Sequence, residues 1–343
     1  MAIFDAFERK MTAVGMGEAP IRAFHRNFEA LLRNETGMIP EDDIVPATEL
    51  TSFEDVAAAG PPDLGLLGQA VVIKLNGGLG TSMGLQGPKC LLPIREGVNF
   101  LDLMLRQILD LRQLSGSNVR LLLMNSFSTS HETLQHLAES GAATAAGLCD
   151  PAQVELMQNQ IPKINAETLA PVSWPADPAL EWCPPGHGDL YPALVGSGWL
   201  DRLLGEGIRY AFVSNSDNLG ASLDPALLNH FAASGVPFLM EVTRRTAADR
   251  KGGHLALRKS DGRFVLREVA QCPNTDLDAF QDIDRHRYFN TNSLWLCLDL
   301  LKAQLAADAG VLPLPMIKNS KTVDPRDKSS TAVIHLETAM GAA

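Results

Sequence analysis

Two kinds of hydrophobic spacing divide the chain. From Asp5 to Arg33, Phe7, Met11, Phe24, Phe28, Leu31 and Leu32 recur at helical spacing on a charged background. Gly15, Gly17 and Pro20 interrupt this stretch, which predicts two helices. Pro40–Gly68, rich in Pro, Gly and acidic residues, reads as a connector. Beyond it, short β-branched runs alternate with helical periods. Ala70–Leu75 (AVVIKL), Val119–Met124 (VRLLLM), Tyr210–Ser214 (YAFVS) and Val236–Val242 are predicted strands. Phe100–Leu114, with Asn99 as N-cap, His131–Glu139 and Asp224–Ala233 are predicted helices. Asp189–Leu204 also reads as helical despite Pro192 and two glycines. The alternation predicts an α/β fold: a mostly parallel mixed sheet with helices on both faces. In such sheets ligands bind at the carboxyl ends of the strands, so the loops after Leu75, Met124 and Ser214 are the expected seat of chemistry.

Composition narrows the partners. The chain has 343 residues, 45% hydrophobic and 20% charged, which excludes disorder of the whole. A net charge of −11 argues against broad attraction to nucleic acid or an anionic membrane. Small phosphorylated ligands need only a few well-placed cations and stay open. Met1–Pro20 lacks the layout of a secretory signal, and the most apolar stretch, Leu64–Leu75, is short and holds Gln69 and Lys74, so no membrane span is expected. Five scattered cysteines with no CxxC pair indicate neither a disulfide framework nor a zinc site, and fit a cytoplasmic setting.

A glycine-rich loop, Asn76-Gly77-Gly78-Leu79-Gly80-Thr81-Ser82-Met83-Gly84-Leu85-Gln86-Gly87-Pro88-Lys89, follows the first strand. Glycines let backbone N–H groups approach phosphate closely. From Gly78 the spacing is GxGxxxG, too long for a dinucleotide-binding GxGxxG, and Gly87-Pro88-Lys89 lacks the adjacent Gly-Lys of a Walker A loop. Lys89 closes the loop as a point charge for phosphate, and Asp217, just beyond YAFVS, is a carboxylate suited to Mg²⁺. Read locally, a lone lysine such as Lys89 is more often a solvated surface residue, and Asp217 is equally a turn or N-cap aspartate.

KLNGGLGTSMGLQGPK resembles the nucleotide loop of UTP–glucose-1-phosphate uridylyltransferases of eukaryotic type, the UDP-glucose pyrophosphorylases. Met124-Asn125-Ser126-Phe127 is similar to the family's MNSF, Gln158–Ile164 to its QN…PKI, Pro184–Asp189 to PPGHGD, and Ser214–Gly220 to SNxDNLG. Glu241-Val242-Thr243, Lys251-Gly252-Gly253, Glu268–Gln271, Phe289–Trp295, Lys321–Asp324 and Leu336–Ala343 continue the series in order, from about residue 70 to the last residue.

The resemblance implies a Rossmann-like, glycosyltransferase-A-like nucleotidyltransferase domain over 70–343, behind an N-terminal helical appendage and connector over 1–69. It implies transfer of the uridylyl group of UTP to glucose 1-phosphate, giving UDP-glucose and pyrophosphate with Mg²⁺. It assigns phosphate chemistry to Lys89 and Lys321 and the metal to Asp217. Leu75, Asn76, Gly77, Gly78, Met124, Gln158 and Gly186 fall to the nucleotide, Gln158 on the uracil edge. His187, Asn215, Glu268, Phe289 and Asn292 fall to the sugar phosphate. Many related sugar nucleotidyltransferases carry Arg after the loop threonine; here Ser82 stands there, which puts more weight on Lys89 and Lys321. The family continues into a C-terminal β-helix lobe that this chain is expected to lack, as a shortened form or an unusual short member. Its oligomeric state is open. The alternatives are a UDP-sugar or UDP-N-acetylhexosamine pyrophosphorylase and a fragment that binds without turnover; an NAD-dependent dehydrogenase fails on glycine spacing.

Overall fold

The computed structural model describes residues 3–79, 87–95 and 97–343. Its centre is a nine-stranded mixed sheet. In chain order the strands are β1 (Ile44–Pro46), β2 (Ala70–Asn76), β3 (Arg120–Asn125), β4 (Glu155–Met157), β5 (Tyr210–Asn215), β6 (Phe238–Arg244), β7 (His254–Arg258), β8 (Phe264–Arg267) and β9 (Tyr288–Cys297). They lie in the order β1-β7-β9-β5-β2-β3-β4, with β6 paired to β9 and β8 to β7. The run β5-β2-β3-β4 is parallel, whereas β9 and the strands beyond it are antiparallel.

Alternation along the parallel strands builds two cores. Val72, Leu121, Leu123 and Phe212 face one side, packed with Leu101, Met104 and Ile108 of the helix Phe100–Ser115 and Leu228 and Phe231 of the helix Pro225–Ser234. Val71, Ile73, Leu122, Ala211 and Val213 face the other, against Leu190, Leu194, Leu200 and Leu203 of two helices and Leu298 and Leu301 of a third. Strands covered on both faces bury both sets of side chains, so they read as near-continuous apolar runs rather than alternating ones.

Local chemistry sets the helix ends. Asn99 Oδ1 accepts from the Asp102 N–H at 2.9 Å and Asp102 Oδ2 accepts from the Asn99 N–H at 3.1 Å, a reciprocal cap, and Gly116 closes the same helix at φ +66°. The segment 189–204 departs from its expectation as one helix. It forms Leu190–Gly196 and Trp199–Gly205, parted at Gly198, whose φ of +76° ends the helical path.

The segment 40–68 is more than a connector. Within it Ile44–Pro46 pairs antiparallel with β7, and Ile44 is buried against Ala256 and Val265. A strand this short carries no readable period, and its partner lies some two hundred residues away in sequence.

A second sheet, β10 (Met316–Thr322) and β11 (Ala332–Thr338) with the short strand Ile164–Asn165, lies beside the first. The two predicted N-terminal helices, Phe4–Ala13 and Glu18–Leu32, pack on it through Phe4, Phe7, Met11, Phe24 and Phe28 against Ile161, Ile164, Ile334 and Leu336. Pro20 sits in the first turn of the second helix, where its missing N–H costs no intrahelical bond. Lys10 pairs with Glu181 and donates to the Val172 carbonyl at 3.1 Å, fastening the first helix to the neighbouring loop. No helix among the described residues is long and apolar enough to cross a membrane.

Candidate active site

The parallel strands β5, β2 and β3 end in register, with Asn215 beside Leu75 and Asn76 beside Asn125. Asn76 ties these ends together. Its Nδ2 donates to Asn125 Oδ1 at 2.8 Å and to Thr133 Oγ1 at 3.0 Å, and its Oδ1 accepts from Ser216 Oγ at 3.0 Å. That side chain is buried and satisfied inside the protein, so any contribution of Asn76 to a ligand comes from its backbone. Met124 is likewise buried, in the apolar cluster beneath the strand ends. The Leu75 carbonyl accepts from the Ser216 N–H at 3.0 Å, which fixes the start of the Asp217 loop.

The two ends of the glycine loop meet where they are described: the Lys89 N–H donates to the Gly78 carbonyl at 3.2 Å, and Leu79 bridges to Pro88. Gly80, Ser82, Gly84 and the rest of 80–86 lie outside the described residues. Lys89 Nζ is 3.2 Å from Asp217 Oδ2, each side chain one-third exposed. The loops after β2 and β5 thus bring a cation and a carboxylate to one mouth.

Gln158 sits at the next strand end. Its N–H donates to the Asn125 carbonyl at 2.7 Å and its Nε2 to the Gly186 carbonyl at 3.2 Å. A Cβ on Gly77 would overlap Gln158 Oε1, so any other residue there displaces the Gln158 amide. Gly186 has φ +81°, and a Cβ on it would come within 2.6 Å of the Thr338 carbonyl oxygen. The glycines quoted from the sequence therefore serve close approach as well as turning.

His187 Nδ1 accepts from the Met340 N–H at 3.1 Å, which leaves the proton of the neutral ring on Nε2. Burial pushes its pKa down to about 4. His187 is thus a neutral donor, unsuited to general-base work through Nδ1.

The third group lies where β9 opens from β5. Asn292, at φ +57°, donates from Nδ2 to Asn215 Oδ1 at 2.8 Å, and its own Oδ1 is buried with no partner among the described residues. Its N–H donates to Asn290 Oδ1 at 2.8 Å, and Asn290 Nδ2 reaches Glu268 Oε1 at 3.4 Å. Burial raises the Glu268 pKa, with Asn290 pulling it back. The Phe289 ring covers Gly252 and the Glu268 carboxylate covers Gly253, so a Cβ at either would push that side chain aside. Asn215, Glu268, Phe289 and Asn292 therefore belong to one edge.

Lys321 stands apart. It is exposed on β10 and makes no side-chain hydrogen bond or ion pair among the described residues. Two buried groups went unassigned at the sequence level. Asp189 closes the PPGHGD segment, and Lys74 is a charged residue inside an apolar strand, which was its only signal. Lys74 Nζ donates to Ser214 Oγ at 2.8 Å and to the Ala221 carbonyl at 2.6 Å, holding the far end of the Asp217 loop, and burial lowers its pKa to about 8.

Glycine backbone, a lysine and a carboxylate thus stand at the carboxyl ends of the parallel strands, the edge at which open α/β sheets bind ligands. Comparison with known proteins narrows the class. A family model described as UTP--glucose-1-phosphate uridylyltransferase matches residues 21–343. The chain is 42% identical over 296 residues to the UTP--glucose-1-phosphate uridylyltransferase of Saccharomyces cerevisiae, covering 86% of this chain and 57% of that one. It is 41% identical over 306 residues to that of Solanum tuberosum, covering 89% and 60%. Its structure matches a UDP-glucose phosphorylase from Trypanosoma brucei at TM-score 0.93 and 49% identity, over 100% of this chain and 72% of that one. It also matches a variant UDP-glucose pyrophosphorylase from Leishmania major in complex with UDP-glucose, at TM-score 0.93 and 44% identity, over 100% and 73%. The chain belongs to the UTP–glucose-1-phosphate uridylyltransferase family. It spans about three-fifths of the length of these two curated relatives.

Proposed function

We propose that the chain transfers the uridylyl group of UTP to glucose 1-phosphate, giving UDP-glucose and pyrophosphate, on a Rossmann-like, glycosyltransferase-A-like domain. The observation that carries this reading is the convergence of Lys89, Asp217, Gln158 and the Gly77–Gly78 backbone on adjacent parallel strand ends, with His187 and the Asn215–Asn292 pair at its rim.

The chemistry asks little covalent work of the protein. A phosphate oxygen of glucose 1-phosphate attacks the α-phosphorus of UTP, one P–O bond forms, the bond to the bridging oxygen breaks, and pyrophosphate leaves in line. The nucleophile is already ionised near neutral pH, so no general base is required. What remains is to hold two anions together and disperse charge. Lys89 supplies a cation beside the glycine loop, and His187 Nε2–H a neutral donor. Lys321, unpartnered among the described residues, is the second proposed cation. Leu75, Asn76, Gly77, Gly78 and Gly186 offer backbone contacts to the nucleotide, and Gln158 an amide to the uracil edge. The unpaired Oδ1 of Asn292 suits a sugar hydroxyl.

Asp217 is an oxygen donor of the kind Mg²⁺ takes, and its exposed carboxylate stands beside the expected phosphates. No group of three metal-binding side chains occurs among the described residues, which fits a metal held largely through the nucleotide. Bound there, Mg²⁺ would neutralise phosphate charge. A cytoplasmic setting accords with the five free cysteines.

Pyrophosphate release from UTP and glucose 1-phosphate, with and without Mg²⁺, tests the proposal on this chain. Release requiring both substrates and the metal is expected. Equal or faster release with N-acetylhexosamine 1-phosphates would replace glucose as the acceptor, and UDP-glucose binding without release would make the chain a binding module.

A further inference from the structure

Asp189 is a buried carboxylate, 3% exposed, with no cation against it among the described residues. Among the described residues, all of its side-chain hydrogen bonds come from one residue. Asp189 Oδ2 accepts from the Asn159 N–H at 2.7 Å, and Asn159 Nδ2 lies 3.0 Å from Oδ1 and 3.2 Å from Oδ2. Burial pushes its pKa up to about 7, with the Asn159 bonds opposing. A buried carboxyl aimed at a neutral neighbour is costly, and the backbone around it shows what it holds.

The Asp189 N–H donates to the Gly186 carbonyl at 3.3 Å, and the same carbonyl accepts from Gln158 Nε2 at 3.2 Å. Asn159 follows Gln158 in the chain. The bonds therefore close a ring: Gln158 Nε2 to Gly186 O, Gly186 O to Asp189 N, Asp189 carboxylate to Asn159, and Asn159 back to Gln158 through the peptide bond.

The ring fixes which way the Gln158 amide points. With Nε2 on the Gly186 carbonyl, a flipped amide would set oxygen against oxygen. The favoured orientation leaves Oε1 free to accept, and among the described residues it makes no hydrogen bond. Uracil offers an N3–H donor where cytosine offers a bare N3 acceptor. A carbonyl oxygen locked in place accepts from the first and repels the second.

We propose that Asp189, acting through Asn159, is the positioning residue that locks the Gln158 amide and so sets preference for a uracil over a cytosine nucleotide. The inference rests on the reading of Gln158 as the base-edge residue, and it concerns base choice rather than the transfer step.

The test is calorimetric titration of UTP and of CTP into the full chain, with thermal melting of each variant as a check on folding. The starting protein is expected to bind UTP more tightly than CTP. Asp189→Asn places an amide N–H against the Asn159 donors and is expected to weaken UTP about tenfold and narrow the UTP/CTP ratio by a similar factor. Asn159→Ala removes only the side-chain arm and is expected to move the ratio in the same direction. The exchanged pair, Asp189→Asn with Asn159→Asp, restores donor to acceptor and is expected to regain most of the preference.

If the unaltered chain binds neither nucleotide, the reading of the site itself falls. If it prefers UTP and the folded variants keep that ratio within twofold, that reading stands and the role of Asp189 is overturned. Equal weakening of both nucleotides overturns it as well, because that is loss of structure without loss of choice.

Discussion

Lys89 Nζ and Asp217 Oδ2 lie 3.2 Å apart, joining two loops 128 residues distant in sequence at the ends of β2 and β5. The one described cation of the glycine loop and the carboxylate proposed for the metal neutralise each other. On the proposed function, a nucleoside triphosphate with its cation would exchange this pair for two stronger partners. The ion pair itself adds little to stability, because a third of each side chain is in water.

Lys89→Ala is therefore expected to lower turnover by about a hundredfold or more while changing stability by less than about 1 kcal/mol. Pyrophosphate release and thermal melting on the same preparation separate the two effects. Near-normal kinetics would remove Lys89 from the site.

Asp217→Asn keeps the size of the side chain and removes its charge. The expected result is loss of most of the Mg²⁺-stimulated rate and a higher half-saturating Mg²⁺ concentration, with the fold intact. A metal titration of initial rates checks it. An unchanged titration would mean that another group holds the cation.

On the proposed function, one glycine lies at the nucleotide edge and another at the sugar edge. A methyl at Gly77 meets Gln158 Oε1, and a methyl at Gly252 meets the Phe289 ring. Gly77→Ala is expected to raise KM for UTP with little effect on glucose 1-phosphate, and Gly252→Ala the reverse, each by about tenfold. Steady-state kinetics with one substrate varied at a time decides the matter. The same response to both substitutions would show that the two edges are not separate.

Acid should destabilise the fold through its buried histidines. Burial lowers the pKa of His187 and His335 to about 4 and of His254 to about 2, and it lowers His286 against the pull of Glu41. A histidine depressed in the folded state contributes stability above its unfolded pKa near 6.5, and loses it as pH falls toward the folded value. Asp189, raised to about 7, has the opposite sign: its contribution is complete below about 4 and fades as pH rises through 7. Glu241 and Glu268, also raised by burial, share that sign, and the four histidines outnumber the three carboxyls, so urea midpoints are expected to fall between pH 7.5 and 5.5. The slope is roughly 1.4 kcal/mol per pH unit for each net proton. A midpoint that holds steady or rises over that range would contradict neutral histidines.

Much of the scaffold was legible because its signals are local. AVVIKL, VRLLLM and YAFVS are near-continuous apolar runs, broken only by Lys74, Arg120 and Ser214, because strands flanked by helices on both faces bury both sets of side chains. Asn99 and Asp224 announce the helices that follow them because a capping side chain bonds N–H groups two or three residues ahead. The glycine loop, Lys89 and Asp217 stood out for similar reasons, since loops after parallel strands are where such residues act.

Pairings between distant segments were not legible. Nothing near Ile44 names Arg258 as its partner, and nothing near Gly198 says that a left-handed turn there divides one helical period into two. Within the site, the sequence determined which residue types were available and which loops carried them. Only the tertiary structure decided that Asn76 is consumed in tying strand ends, that Met124 lies in the core, and that Lys321 stands on another sheet. It alone joined Asp189 to Asn159 across thirty residues. Hydrogen bonds and burial depend on distance in space, and sequence spacing reports that distance only within a turn or along a strand.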